Sequence, residues 1–225
     1  VVVAFRILPS RFLSLSKMGA MNLHASLLPK YRGAAPIQHA LLNGDTQTGI
    51  STFLIDKDLD TGPILIQKEV PILPQDNFNT LSGKISNEGS SLILESLDLL
   101  EKNNQKLTPQ LDKDASYAPK ILKKEMLIDW NQPASQINNK VRALSYAGAF
   151  TFINGKRMKL YKTKVHENSK PSKPGKVLII DKKRVSISCA NDDLELIEVQ
   201  MENKARMLTS EWIKGARIKT GDILG

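Results

Sequence analysis

A polar stretch, NNQKLTPQLDKDASYAP at residues 103–119, limits the folds open to this chain more than any other feature. It holds two prolines and little apolar periodicity, so it sustains neither a long helix nor a buried strand. It reads as a linker. On its amino-terminal side, residues 1–102, strand-like runs alternate with helical ones, as in an α/β domain. On its carboxyl-terminal side, residues 120–225, short strands follow one another with tight turns. A chain of 225 residues divided in this way is expected to hold two domains.

The first region opens on VVVAF (1–5), a run that reads as a strand buried on both faces, the kind found inside parallel sheets. It has no initiator Met, and no basic start or cleavage-type ending makes it a signal peptide. A chain does not usually begin in the middle of a buried sheet, so residues upstream are expected to be missing. AMNLH (20–24) reads as a second short strand. SLLPKYRGAAP (26–36) is a loop, because its prolines remove donors and its glycine permits unusual dihedrals. Pro36 suits the first turn of a short helix, IQHALLNG (37–44), that stops at Gly44. GISTFLID (49–56) and ILIQKEVPI (64–72) read as strands around a turn-rich DKDLDTG (56–62). A long helix is expected over 76–102, where Leu81, Ile85, Leu92 and the Leu97–Leu100 group recur at helical spacing.

In the second region one helix is expected at 133–144, with Ile137, Val141 and Leu144 on one face. Asn154-Gly155 between AFTFI and KRMKLYK signals a hairpin, since a type I′ turn wants positive φ at both positions. VLII (177–180), VSISC (185–189) and LELIEVQ (194–200) complete the pattern of a small barrel or sandwich. The formal net charge of +9 is unevenly placed. Residues 1–119 carry 11 Lys and Arg against 12 Asp and Glu, a net of −1; residues 120–225 carry 21 against 11, a net of +10. Such asymmetry suggests a polyanionic partner, nucleic acid ahead of membrane. The plainer alternative is a basic face kept for solubility. No apolar run approaches the roughly 20 residues of a membrane span. The single Cys189 excludes an internal disulfide, and no Cys/His cluster suggests zinc. A reducing, cytoplasm-like compartment fits.

The chemistry-bearing candidates sit near the end of the second strand. Asn22 and His24, two apart, project to one side, just before the proline- and glycine-rich loop. In parallel α/β sheets ligands bind beyond the carboxyl ends of strands. An amide and an imidazole there can stabilise an oxyanion or relay a proton; equally, His24 can be a satisfied structural histidine. DKDLD offers three acids, Asp56, Asp58 and Asp60, and spacing does not choose among them. An Asp in such a loop often does no more than bond its own backbone. Arg32 can contact an anionic substrate or brace the loop. His39 reads as structural, and His166 as surface.

NLHASLLPKYRGAAPIQHAL (22–41) followed by LDTGPIL (59–65) resembles the signature of the folate-dependent formyltransferases: Asn-x-His, then Ser-Leu-Leu-Pro, then Leu-Asp-x-Gly. The order and spacing agree, and the resemblance extends over nearly the whole chain. It implies an incomplete Rossmann-like formyltransferase domain followed by an OB-like β-barrel domain. It also implies a reaction in which a primary amine attacks the formyl carbon of 10-formyltetrahydrofolate, the co-substrate. By resemblance Asn22 and a protonated His24 hold the oxyanion, and Asp60, the acid selected by the Leu-Asp-Thr-Gly match, helps move the proton. Ser26, Leu27, Leu28 and Pro29 correspond to the loop that lines the folate site. No metal is called for.

The acceptor is less constrained, because relatives share this trio. RGAAPIQHALLNGD (32–45), IDW (128–130), NNKVRAL (138–144), LIEVQMENKARM (196–207) and TGDILG (220–225) most resemble members that formylate initiator methionyl-tRNA. In those members the second domain helps bind tRNA, in agreement with the +10 charge. Lys156, Arg157, Lys159, Lys182, Lys183 and Arg184 are the candidate phosphate contacts. The resemblance further implies a monomer acting away from membranes, in the bacterial cytoplasm or an organelle. The family's amino-terminal strands and helices have no counterpart here, and a Lys-Lys-Arg-Met run reads Lys204-Ala205-Arg206-Met207. An amino sugar nucleotide as acceptor, or an inactive fragment that only binds tRNA, are the competing readings.

Overall fold

The computed structural model describes Leu13 and residues 19–102, 106–167, 172–181 and 184–225. The strand expected at 1–5 lies outside the described residues, as do Lys182 and Lys183. The chain forms two compact units, one of residues Val1–Ala40 and Asp45–Lys120, the other of Leu41–Gly44 and Ile121–Gly225.

In the first unit, β1 (Met21–His24), β2 (Gln47–Leu54) and β3 (Ile64–Pro71) form a sheet in that order; α1 (Pro36–Asn43), between the first two strands in sequence, belongs to this unit as far as Ala40. All three strands lie within two or three residues of the expected limits. Their pairing differs from the parallel arrangement expected around His24: β1 and β2 are antiparallel, as are β2 and β3. The nine-residue connection 55–63 is too short for the crossover that a parallel β2–β3 pair needs, which takes roughly a dozen residues. Six successive residues of β2 are buried, so both of its faces are covered. The helix α2 (Phe78–Glu101) packs on β2 and β3. It begins where Asn77 accepts from the Asn79 and Thr80 N–H groups while Thr80 returns a bond to the Asn77 N–H, a capping box. Leu81, Ile85, Leu92 and Leu100 form its buried stripe, as their spacing predicts, whereas Leu97 is exposed. Each buried aliphatic contributes about 2 kcal/mol by removal from water. Ser96 meets Thr52 of β2 at 2.7 Å inside this interface, so both hydroxyls are satisfied.

The second unit starts with α3 (Ala134–Ala143), whose Ile137 and Val141 are buried together with the following Leu144. The strands β4 (Ala149–Ile153), β5 (Lys156–His166), β6 (Val177–Ile180), β7 (Val185–Ser188) and β8 (Asp193–Met201) form an antiparallel sheet in the order β4-β5-β8-β7-β6; β9 (Met207–Leu208) pairs with β8. Asn154 and Gly155 have φ of 49° and 72°, the positive pair that a type I′ hairpin requires. Two register shifts between β5 and β8 leave Tyr161 of β5 and Ile197 of β8 unpaired, and such bulges bend a long strand. One core gathers α3, the inward residues of the sheet and Trp130, whose indole N–H donates to Thr151 Oγ1 at 3.0 Å. A short helix missing from the expected pattern, α4 (Thr209–Gly215), adds Trp212 to that core. Seven residues are too few for a periodic signal. Leu160, fully buried at the centre of β5, tests the packing. Leu160→Ala should lower unfolding free energy by about 2–5 kcal/mol in urea denaturation, and an unchanged midpoint would contradict this core.

Cys189 is buried, and desolvation, reinforced by the Asp193 and Asp192 carboxylates, pushes its thiol up to about 12. It stays protonated and unreactive at neutral pH. Among the described residues no helix is long and apolar enough to cross a membrane.

Candidate active site

The site grows from the carboxyl end of β1. His24 is the last residue of that strand, opposite Ser51 of β2, and only 7% exposed. Its Nε2 lies 2.8 Å from the carbonyl oxygen of Tyr31. A carbonyl can only accept, so Nε2 carries the proton in this bond and Nδ1 is turned the other way. At 3.6 Å from Nδ1 stands Asp60 Oδ2. The pair is buried on both sides, with Asp60 8% exposed.

The connection 55–63 separates its three acids by role. Asp56 Oδ1 accepts from the Asp58 N–H at 3.0 Å and from the Thr61 hydroxyl at 2.6 Å, closing the loop on itself. Asp58 is exposed. Asp60 alone turns inward, with φ of +57°, and its Oδ2 also accepts from the Gly33 N–H at 2.8 Å. A non-glycine residue rarely takes that φ, and holding it there takes the surrounding contacts.

Asn22 lies two residues before His24 on the same strand face. Its carboxamide oxygen accepts from the Leu23 N–H at 2.8 Å. That bond fixes which end of the amide is spent, leaving the NH₂ as the group available to a ligand. Asn22 makes no hydrogen bond to His24 or Asp60 among the described residues.

The loop after β1 is held from below. Ser51 Oγ donates to Ser26 O at 2.7 Å and accepts from the Leu28 N–H at 3.0 Å. Gln67 Nε2 donates to Leu28 O at 2.9 Å. Ser26 is buried and its hydroxyl donates to Lys30 O at 2.5 Å. Leu28 packs with Phe53 and Ile64, and its peptide bond to Pro29 is cis. Ser26 and Leu28 therefore shape the loop, while Leu27 and Pro29 keep partly exposed faces.

The stretch read as a linker is bound to this loop. The Arg32 N–H donates to Ser116 O, the Ala118 N–H to Arg32 O, and Ser116 Oγ accepts from the Tyr31 N–H. Arg32 is buried; its Nε donates to Gln110 Oε1 at 3.0 Å and its Nη1 to Asp112 at 2.9 Å. Of its two possible roles, this geometry supports bracing. His39 is structural as expected, bonding Pro119 O at 3.0 Å. His166, expected at the surface, ends β5 with its side chain 35% exposed and pairs with Glu195 at 2.5 Å across the sheet. Gln110 and Ser116 carried no sequence signal, because nothing periodic marks them inside a polar stretch.

In the second unit, Lys156 is exposed and Arg157 lies 3.9 Å from Glu202. Lys159 donates to Ala147 O at 2.9 Å and Arg184 lies 3.6 Å from Asp181. A cleft of about 770 Å³ is lined by Lys156, Lys204 and Arg217, together with Glu202, Glu211, Met207 and Trp212.

Residues 1–97 match the family model described as "Formyl transferase", and residues 120–217 match "Formyl transferase, C-terminal domain". The methionyl-tRNA formyltransferase of Syntrophus aciditrophicus is 43% identical over 227 residues, covering 100% of this chain and 73% of that protein. That of Thermodesulfovibrio yellowstonii is 43% identical over 98% of this chain and 71% of its own length. A crystal structure of a HypX variant from Aquifex aeolicus superposes with a TM-score of 0.71 at 20% identity, over 96% of this chain and 39% of that one. WlaRD, a sugar 3N-formyl transferase crystallised with dTDP and 5-N-formyl-THF, gives 0.63 at 24% identity, over 82% and 66%. At these identities the structural likeness concerns the fold. An α/β unit followed by an antiparallel β unit, with both family models matched in order, defines an enzyme that transfers formyl groups. The chain belongs to the formyl transferase family.

Proposed function

We propose that this chain transfers the formyl group of 10-formyltetrahydrofolate to the amino group of initiator methionyl-tRNA. The observation that carries the reading is the buried His24–Asp60 pair, at the motif positions that the resemblance assigns to this reaction. The amine attacks the formyl carbon, and a tetrahedral intermediate with one oxyanion forms. With Nε2–H held by the Tyr31 carbonyl, His24 acts in its doubly protonated form, as the resemblance implies. The Asn22 NH₂ and the His24 Nδ1–H then donate to that oxyanion, an arrangement of fixed donors that is worth most where water is excluded. Asp60 accepts the proton released by the attacking nitrogen through Oδ1, the oxygen not engaged with Gly33. The proton then passes to the folate nitrogen as its bond to the formyl carbon breaks. Electrons and protons balance without any further reactant. Residues 26–29 form one wall of the folate site, with the partly exposed Leu27 and Pro29 toward the ligand.

For the acceptor, the basic second unit supports an RNA. Lys156, Lys204 and Arg217 around one cleft suit phosphate contact, whereas Lys159 is occupied with a backbone carbonyl. The domain division at 1–102, 103–119 and 120–225 is part of the same proposal, as is action by a monomer in the cytoplasm. A competition assay tests the acceptor: methionyl-tRNA and an amino sugar nucleotide are offered together with 10-formyltetrahydrofolate. Formyl-methionyl-tRNA is the expected product; formylation of the sugar alone would sink the tRNA reading.

A further inference from the structure

We infer that Gln110 is a positioning residue for the formyl transfer proposed above, acting through Asp60, and the inference rests on that reading of the site. Gln110 sits in the stretch that the sequence presents as a linker. Its Nε2 donates to two backbone carbonyls of the acid-bearing loop, Asp60 O at 2.9 Å and Gly62 O at 2.7 Å. Its Oε1 accepts from Arg32 Nε at 3.0 Å. One side chain therefore ties three segments together: its own, the 55–63 loop and the loop that follows β1.

One of the two carbonyls it holds is that of Asp60 itself. Asp60 has a left-handed backbone, φ +57°, a region that non-glycine residues occupy uncommonly. Such a conformation persists only where its surroundings over-determine it. With the Asp60 and Gly62 carbonyls both fixed by one amide, the Asp60–Thr61 and Gly62–Pro63 peptide planes are set. The carboxylate is then aimed at His24 Nδ1 and the Gly33 N–H. Arg32 in turn orients the amide: its guanidinium accepts nothing, so Gln110 must present oxygen to it and nitrogen to the carbonyls. The same stretch reaches the other member of the pair, since Ser116 Oγ holds the Tyr31 N–H and the Tyr31 carbonyl holds His24 Nε2.

The test separates positioning from plain stability. Gln110→Ala should lower kcat for formyl transfer about 10- to 100-fold, the loss expected from a small misplacement of a reacting group, while KM for both substrates changes little. Gln110→Glu keeps the acceptor for Arg32 but replaces both donors with an oxygen facing the Asp60 and Gly62 carbonyls, so it should lose at least as much activity. On an Asp60→Asn background Gln110→Ala should add almost nothing, because a residue acting through Asp60 has nothing left to position. A readout independent of turnover comes from NMR of the histidine ring nitrogens: of the three histidines, His24 should shift in Gln110→Ala and His166 should not. Parental kcat in both variants, a loss fully additive with Asp60→Asn, or unmoved His24 signals would each overturn the inference. Full turnover in Asp60→Asn alone would instead overturn the site reading beneath it.

Discussion

His24→Ala is expected to lower kcat for formyl transfer by about 10³-fold or more, since it removes both an oxyanion donor and a partner in proton movement. Asp60→Asn keeps the shape of the side chain and its bond from the Gly33 N–H, yet removes the charge and the proton acceptor. It should cost about 10²- to 10⁴-fold. Because the two side chains face each other at 3.6 Å, the double variant should be little worse than the more damaged single one. Groups that act as a unit lose their function once, not twice. Steady-state kinetics of the three variants, with circular dichroism to establish the fold, makes the check. Turnover close to the parent in both single variants would sink the assignment, and purely multiplicative losses would show that the residues act separately.

Gly62→Ala should have the next largest effect. A Cβ on Gly62 would stand 1.7 Å from the carbonyl oxygen of Leu54, a backbone atom that cannot swing aside. Leu54 is itself tied to the far end of the same connection, its N–H donating to Pro63 O at 3.0 Å. The loop must open to admit the methyl group, and forced overpacking of this kind costs about 1–3 kcal/mol. Opening it also releases the carbonyl that Gln110 holds and lets Asp60 drift from His24. A loss of stability in urea titration should therefore accompany a fall in kcat of about 10²-fold. Parental values of both would mean that the loop does not close on Leu54. The glycine two residues after Asp60 thus has a steric reason, which the motif by itself does not disclose.

Much of the fold was legible because its signals are local. The stripe Leu81, Ile85, Leu92 required only a helical period, and it is buried as spaced. Asn154-Gly155 required only two residues tolerant of positive φ, and both have it. Asn22, His24 and the Ser26–Pro29 loop stood out by resemblance, and the structure adds what each is bonded to. The short α4 escaped because seven residues hold no full pattern, and the antiparallel return of β1 and β2 escaped because an alternating strand carries no mark of its partner's direction.

The sequence by itself determined where most of the described strands and the longer helices begin and stop, that two regions of different character follow one another, and that the positive charge gathers in the second. Those properties depend on dihedral preference, side-chain period and charge, which neighbours along the chain already hold. Spacing did not choose among Asp56, Asp58 and Asp60; the Leu-Asp-Thr-Gly resemblance pointed to Asp60, and only tertiary structure shows it facing His24. The role of Arg32 was decided only by tertiary structure, and so was the conversion of a polar stretch into a brace for the site. These depend on bonds between residues 27, 50 and 80 positions apart, Gly33 to Asp60, Gln110 to Asp60 and Arg32 to Asp112. A hydrogen bond selects its partner by distance and direction in space, and no periodicity along the chain encodes that.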